Sequence, residues 1–415
     1  MRSYLFCLSV LSICFVVPAH AENWPQFRGP DGQGHSSAEN LPTEWSGTKN
    51  VAWKQDIPGE GWSSPVVWNG RIFLTSAVPS EAVANEYSLR VICLSGNEGT
   101  PLWNVEVFKQ TPRDTQRIHN KNSHASPTPV TDGKHLWVHF GAQGTACLTL
   151  SGEIVWKTRE LGYPMNHGNG GSPVLVEGLL FFSCDGSRDP FVVALDQATG
   201  KIRWKKSRPE VKNPKKFSFS TPLVIEVEGQ KQIISTGTDQ VVAYRPADGE
   251  ILWSVGFDGY SVIPRPVYGE GLLFISTSYD NAVAMAISPK GEGDITETNV
   301  AWVNRQAAPK TPSMLVVGSE VYMVSDAGIA TCADAKTGEV YWKQRLGGNY
   351  SASPLYGAGK IYFQSEEGEG TVIEAGKEYK ELARNEMNAR TLASYGVIDS
   401  DLLIRTETAL YRITR

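Results

Sequence analysis

Two short polar stretches, His119-Asn-Lys-Asn-Ser-His124 and Asn166-His-Gly-Asn169, hold three of the chain's 7 histidines. Neutral imidazoles ligate metals and titrate near neutral pH, and amide groups orient them or contact a polar ligand. His119, His124 and His167 are therefore candidate metal ligands, with Asn122, Asn166 and Asn169 beside them. The same residues also suit strained turns that hydrogen-bond only local backbone, and both readings stay open. Arg265, Lys310 and Arg390, together with Tyr260, Tyr350 and Asn388, extend the set toward a polar or anionic ligand. Carboxylates are few among these residues, which disfavours a calcium centre. Neither a zinc-type ligand spacing nor a nucleophile with its base is visible.

What must position these residues is a repeat. Trp103, Trp156, Trp204, Trp253 and Trp342 each close a phrase of the form small-x-x-x-x-x-Gly-x-x-x-Trp, clearest at Ala194 to Trp204 and Cys332 to Trp342. Trp53 and Trp302 end degenerate copies. The spacing of 40 to 53 residues is the length of a four-stranded propeller blade.

A second signal has the same period. A Ser-Pro or similar pair opens a short apolar strand, a turn follows, and a second apolar strand runs on. The openings are Ser64, Ser126, Ser172, Thr221, Arg265, Pro312 and Ser353, with an eighth at Leu392. Turn residues such as Asn69-Gly70 and Glu177-Gly178 supply the positive φ of tight hairpins. The fold class is all-β, an eight-bladed propeller of four-stranded antiparallel blades. Residues 409–414 end the chain after a third strand, and 50–57 read as a fourth strand without its first three. Joining them closes the ring and removes its open edges.

In such a ring the loop leaving each outer strand crosses one face and drops into the next inner strand. The residues just before each opening therefore converge on the channel mouth. That convergence gathers His119, Asn122, His124, Asn166, His167, Asn169, Tyr260, Arg265, Lys310, Tyr350, Asn388 and Arg390.

The phrase Ala-x-Asp-x-x-Thr-Gly-x-x-x-Trp resembles the repeat of the pyrroloquinoline quinone (PQQ) dehydrogenases and of the BamB-type outer-membrane assembly proteins. The resemblance covers about residues 50–414, and the leader Trp24-Pro-Gln-Phe-Arg-Gly-Pro-Asp-Gly-Gln-Gly34 is similar to that of many secreted PQQ-like propellers. It implies either a binding or scaffolding module without redox turnover, or a dehydrogenase of alcohols or sugars using PQQ and calcium. In the enzymes the cofactor lies on the ring axis over residues scattered among blades, so the repeat does not carry the site with it. This chain has no adjacent Cys-Cys pair and no haem Cys-x-x-Cys-His. In the dehydrogenase reading, Arg265, Lys310 or Arg390 would hold the quinone's carboxylates.

The remaining features set boundaries. Residues 1–21 read as a signal peptide cleaved after Ala21, residues 22–49 as an extension packing on the propeller, and 50–415 as the propeller itself. A secreted or periplasmic protein follows, with a protein, peptide or small anionic ligand as partner. A formal charge of −5 without a long basic run disfavours nucleic acid. No later segment reaches transmembrane length. Cys93, Cys147 and Cys332 occupy the small-residue slot of their repeats, which argues against a disulfide framework. Arg28 to Gly34 reads as a turn packed against the ring. Asp185 to Asp189 reads as a solvated loop with calcium-like acidic spacing, and Lys205 to Lys216 as a mobile basic loop.

Overall fold

Every repeat tryptophan except Trp253 fastens one blade to the next. The Trp156 indole donates to the Gln197 carbonyl at 2.9 Å, Trp204 to Pro246 at 2.8 Å, and Trp302 to Ala335 at 2.9 Å. Under these rings lie the turn glycines of the following blade. At Gly249, φ is +71° and a Cβ would stand 2.6 Å from Trp204. The glycine of the phrase thus supplies both the left-handed backbone and the space for the neighbouring indole. Opposite each Trp on the third strand sits the small residue: Cys93 faces Trp103, Cys147 faces Trp156, Ala194 faces Trp204 and Cys332 faces Trp342. The four described cysteines are buried and free.

The structure, a computed structural model, describes residues 22–415 apart from positions 116, 278 and 307. The expected signal segment, 1–21, lies outside the described residues. The strands form eight antiparallel sheets, seven of four strands and one carrying a fifth. Val51–Asp56 pairs antiparallel with Ala409–Ile413 and completes the last blade. Neighbouring first strands lie side by side, and Val66–Trp68 touches both Val130–Thr131 and Gly396–Ile398, which closes the ring.

Three openings differ in position from the sequence reading; the eighth starts at Ser394, two residues after Leu392, ahead of Gly396–Ile398. The second blade starts at Thr128-Pro129, two residues after Ser126, because its first strand is Val130–Thr131. The sixth starts at Ser313, one residue after Pro312, ahead of Leu315–Val317. The fifth strand, Gly293–Asp294, comes from an insertion in blade five and pairs parallel with the strand carrying Trp253. That pairing takes the place of the usual turn. Trp253 accordingly departs from the rule, donating to Gln232 Oε1 of its own blade at 2.8 Å.

Hydrophobic contact runs between blades. Phe181, Val192 and Trp204 of blade three pack with Ile233, Val242 and Tyr244 of blade four. Second and third strands are buried on both faces, as in Leu179–Cys184, which explains their continuous apolar runs. The loop at 185–189 is anchored by Asp185, which is buried and ion-paired with Arg208 at 2.7 Å. Arg208 also donates to Ser235 O, and Asn213 N–H to Asp239. The solvated-loop expectation for Asp185 is therefore corrected. The basic stretch is pinned at these points because its first guanidinium is the counter-charge of a buried carboxylate.

Candidate binding site at the channel mouth

A belt of hydroxyl side chains surrounds the axis where the first strands begin. Backbone N–H groups donate from one blade to the next: Ser64 to Thr128 Oγ1, Thr128 to Ser172 Oγ, and Ser172 to Thr221 Oγ1, each at 2.9 Å. The series resumes with Arg265 to Ser313 Oγ at 2.9 Å, Ser313 to Ser353 Oγ at 3.0 Å and Ser353 to Ser394 Oγ at 2.9 Å. The Ser or Thr of each opening thus satisfies the neighbouring blade's backbone at the crowded centre.

Arg265 is the one belt position without a hydroxyl, and it is buried. Its guanidinium donates to the Phe27 carbonyl at 2.7 Å and to Gln26 Oε1 at 3.3 Å. Arg28, also buried, donates to Met314 O at 2.8 Å and Pro354 O at 3.4 Å. Trp24 exchanges backbone bonds with Val67 at 2.9 and 2.8 Å. These partners lie one to three residues beyond the belt, so residues 24–36 close the channel end opposite the mouth. Burial and the neighbouring Arg265 lower the Arg28 pKa to about 9. The turn at Arg28 to Gly34 packs against the ring as expected.

Above the belt lies a cavity of about 550 Å³ lined from all eight blades. Phe27 lies at its closed end, belt hydroxyls on its wall, and Trp62, Phe217, Phe219, Tyr260 and Tyr279 form an aromatic collar. His119, Lys121, Asn122, Asn166, His167 and Lys215 edge the opening. An adjoining groove of about 960 Å³ shares Trp62, His119, Asn122, Asn166 and His167 and continues past Asn120 and Arg390.

The two histidine loops are stitched together. His119 N–H donates to His167 O at 3.1 Å and Asn122 Nδ2 to the same carbonyl at 2.9 Å, with His167 at φ +60°. The two imidazoles meet edge to face, centroids 5.9 Å apart. Partial burial, then the charges of His167 and Lys121, lower the His119 pKa. Arg390 donates to Asn120 O at 2.8 Å and lies over the Trp62 ring at 5.6 Å. Lys121 bridges to Glu366 at 2.7 Å. Lys215 donates to the Tyr260 hydroxyl at 2.7 Å, which raises the lysine's pKa.

The structure brings His119, Asn122, Asn166, His167 and Tyr260 into the cavity lining and Arg390 into the groove. Lys310 stands beside the collar, and the others lie outside the lining. His124 stacks on Tyr87, centroids 4.4 Å apart, and burial lowers its pKa. Asn169 accepts from the Tyr163 hydroxyl at 3.2 Å. Tyr350 is fully buried among Leu346, Ile361 and Phe363. Asn388 occupies an exposed turn at φ +51°, and Lys310 lies 5.5 Å from the Tyr279 ring centroid. Arg265 faces away from the mouth because the extension offers it carbonyl oxygens. The collar residues Phe217, Phe219 and Tyr279 were missed by reading polar residues alone; for Phe217 and Phe219 an aromatic type just before an opening was the available signal, whereas Tyr279 comes from the loop between the second and third strands of its blade.

The expected three-histidine metal set is thus reduced to a pair. Among the described residues no group of three or more His, Cys, Asp or Glu could hold a metal ion. No Asp or Glu lines the 550 Å³ cavity. Calcium takes six to eight oxygen ligands, carboxylates prominent among them, so this donor set does not suit a calcium-supported quinone.

Comparison with solved structures places the fold beside BamB from Moraxella catarrhalis, with a TM-score of 0.61 and 12% identity, covering 87% of this chain and 96% of that one. Quinohemoprotein alcohol dehydrogenase from Comamonas testosteroni matches at a TM-score of 0.47 and 12% identity, over 94% of this chain and 80% of that one. The quinohemoprotein alcohol dehydrogenase ADHIIG from Pseudomonas putida HK5 matches at 0.47 and 13%, over 85% and 76%. A search of curated proteins finds no match. The family model described as outer membrane protein assembly factor BamB matches residues 37–183, 188–323 and 295–380. With both blade repeat and ring geometry in agreement, the chain belongs to that family of PQQ-like propellers.

Proposed function

We propose that this protein is an exported binding module, without redox turnover of its own, whose channel mouth takes a protein, peptide or small anionic ligand. One observation carries the reading: the cavity is open at one end, closed at the other by residues 24–36, and lined by aromatic, hydroxyl, amide, imidazole and lysine groups without a carboxylate. A concave, largely apolar site with a few directed polar groups is built for binding. Export rests on the apolar leader and the Ala19-His20-Ala21 site in the sequence. No described helix is long and apolar enough to cross a membrane.

The dehydrogenase reading draws support from the aromatic collar, which suits a planar ring. Against it, Arg265 turns away from the cavity, Lys310 and Arg390 lie against different collar rings, and the cavity has no carboxylate to hold calcium. Titration with PQQ, with and without calcium, followed by dye reduction with alcohols and sugars, separates the readings. The binding-module reading expects no calcium-dependent saturation and no turnover. Saturable calcium-dependent binding accompanied by turnover would overturn it.

A further inference from the structure

Six belt hydroxyls each commit one of their two lone pairs to a backbone N–H and keep their own O–H uncommitted. Thr128, Ser172, Thr221, Ser313, Ser353 and Ser394 each accept a backbone N–H. All six line the cavity, and among the described residues none of their O–H groups donates to another protein group. A hydroxyl in this state offers a proton to whatever enters. The wall therefore presents a circle of donors, and the cavity has no carboxylate to accept from a ligand's own donors.

That asymmetry selects among ligands. A peptide backbone brings an N–H at nearly every residue, and each loses its water on entering. To accept them the wall offers no carboxylate and chiefly the second lone pair of each hydroxyl. A saccharide brings oxygens that accept readily and whose own protons can rotate outward. Its apolar C–H faces need flat aromatic surfaces, and the collar of Trp62, Phe217, Phe219, Tyr260 and Tyr279 provides them around the opening. At the rim stand Lys121, already bridged to Glu366 at 2.7 Å, and the exposed Lys215, 4.1 Å from the Tyr260 ring centroid and bonded to its hydroxyl. Lys215 suits a carboxylate on the sugar. The groove of about 960 Å³ that leaves the cavity through Trp62 and the histidine loops, lined by Arg117 and Arg390 and also by Glu60 and Glu407, continues the site beyond one ring.

We infer that the channel cavity and its groove form a site for a short acidic saccharide of the uronate type, with its terminal ring inside the collar. This deepens the binding-module reading and rests on it. The belt would donate to ring oxygens and hydroxyls, the aromatic collar would cover the C–H faces, and Lys215 would meet the carboxylate.

The test titrates the full mature chain, by calorimetry, with trigalacturonate, with neutral galactotriose, and with an acidic aromatic tripeptide. Trigalacturonate is expected to bind saturably and to weaken as salt rises. Galactotriose is expected to bind at least about fivefold more weakly. Tyr279→Ala removes an exposed collar ring without touching the core and is expected to weaken trigalacturonate about tenfold; Tyr260→Ala should do the same. An unchanged melting temperature for Tyr279→Ala keeps the result readable if Tyr260→Ala unfolds. Saturable binding of the tripeptide with neither saccharide bound would overturn the saccharide and leave the binding module standing. No binding by any probe would also overturn the saccharide, while calcium-dependent quinone turnover would remove both readings.

Discussion

Arg265 stands where every other blade places a serine or threonine on the belt, and its guanidinium turns from the mouth to donate to the Phe27 carbonyl at 2.7 Å. One departure from the repeat thereby fixes the segment that closes the channel. The cost of burying this charge is visible in its pKa, lowered by desolvation to about 10. Arg265→Ser would restore a hydroxyl to the belt but leave Phe27 O and Gln26 Oε1 without their donor. A loss of about 2 kcal/mol is expected, read by urea denaturation, together with faster proteolytic cleavage within residues 22–49.

The fit between turn glycine and indole gives a paired comparison. Gly249→Ala meets both a φ of +71° and Trp204 at 2.6 Å, whereas Gly229→Ala meets a φ of +81° and open space. Backbone strain alone costs about 1 kcal/mol, and overpacking adds about 1–3 kcal/mol. Denaturant midpoints should fall much further for Gly249→Ala. Equal shifts would show that the indole moves aside freely.

Asp185 and Arg208 form a buried pair with Ser183 and Ser235 completing the guanidinium's bonds. Arg208→Met leaves an uncompensated carboxylate and is expected to cost about 3–5 kcal/mol. The double change Asp185→Leu with Arg208→Met should recover at least about half of that loss, measured as a double-mutant cycle in urea.

His139 supplies a pH dependence. It is buried against Phe182, ring centroids 4.2 Å apart, its Nδ1 is paired with Thr145 Oγ1 at 2.9 Å, and its Nε2 has no partner among the described residues. Burial lowers its pKa from 6.5 to about 3. The unfolded chain takes up this proton and the folded chain does not, so the stability is present in full above pH 6.5 and is lost as pH falls toward 3. The slope is about 1.4 kcal/mol per pH unit below the unfolded pKa. A His139→Gln variant should show a flatter stability profile between pH 6.5 and 4 than the parent chain.

The site was legible only where backbone position alone decided it. His119 and His167 precede the openings of blades two and three, and a loop in that place must cross the mouth. His124 precedes an opening too, yet its side chain is drawn onto Tyr87 because that ring offers a half-buried apolar face. Tyr350 stands just before Ser353, but its large ring gains more from the interior between blades than from the channel. The polar residues of a loop reveal its location, whereas their directions depend on the partners that the folded ring sets beside them.

The sequence by itself determined the blades, their number and the closure of the ring, because those features repeat with local spacing. A small residue, a turn glycine and a tryptophan must recur for each blade to pair its strands and grip the next. Only the tertiary structure decided that the first segment stoppers the channel, that Arg265 leaves the belt to hold it, and which loop side chains face the cavity. Those outcomes arise from single, unrepeated contacts such as Arg28 to Met314 and Lys121 to Glu366, whose partners come together only once the ring has formed.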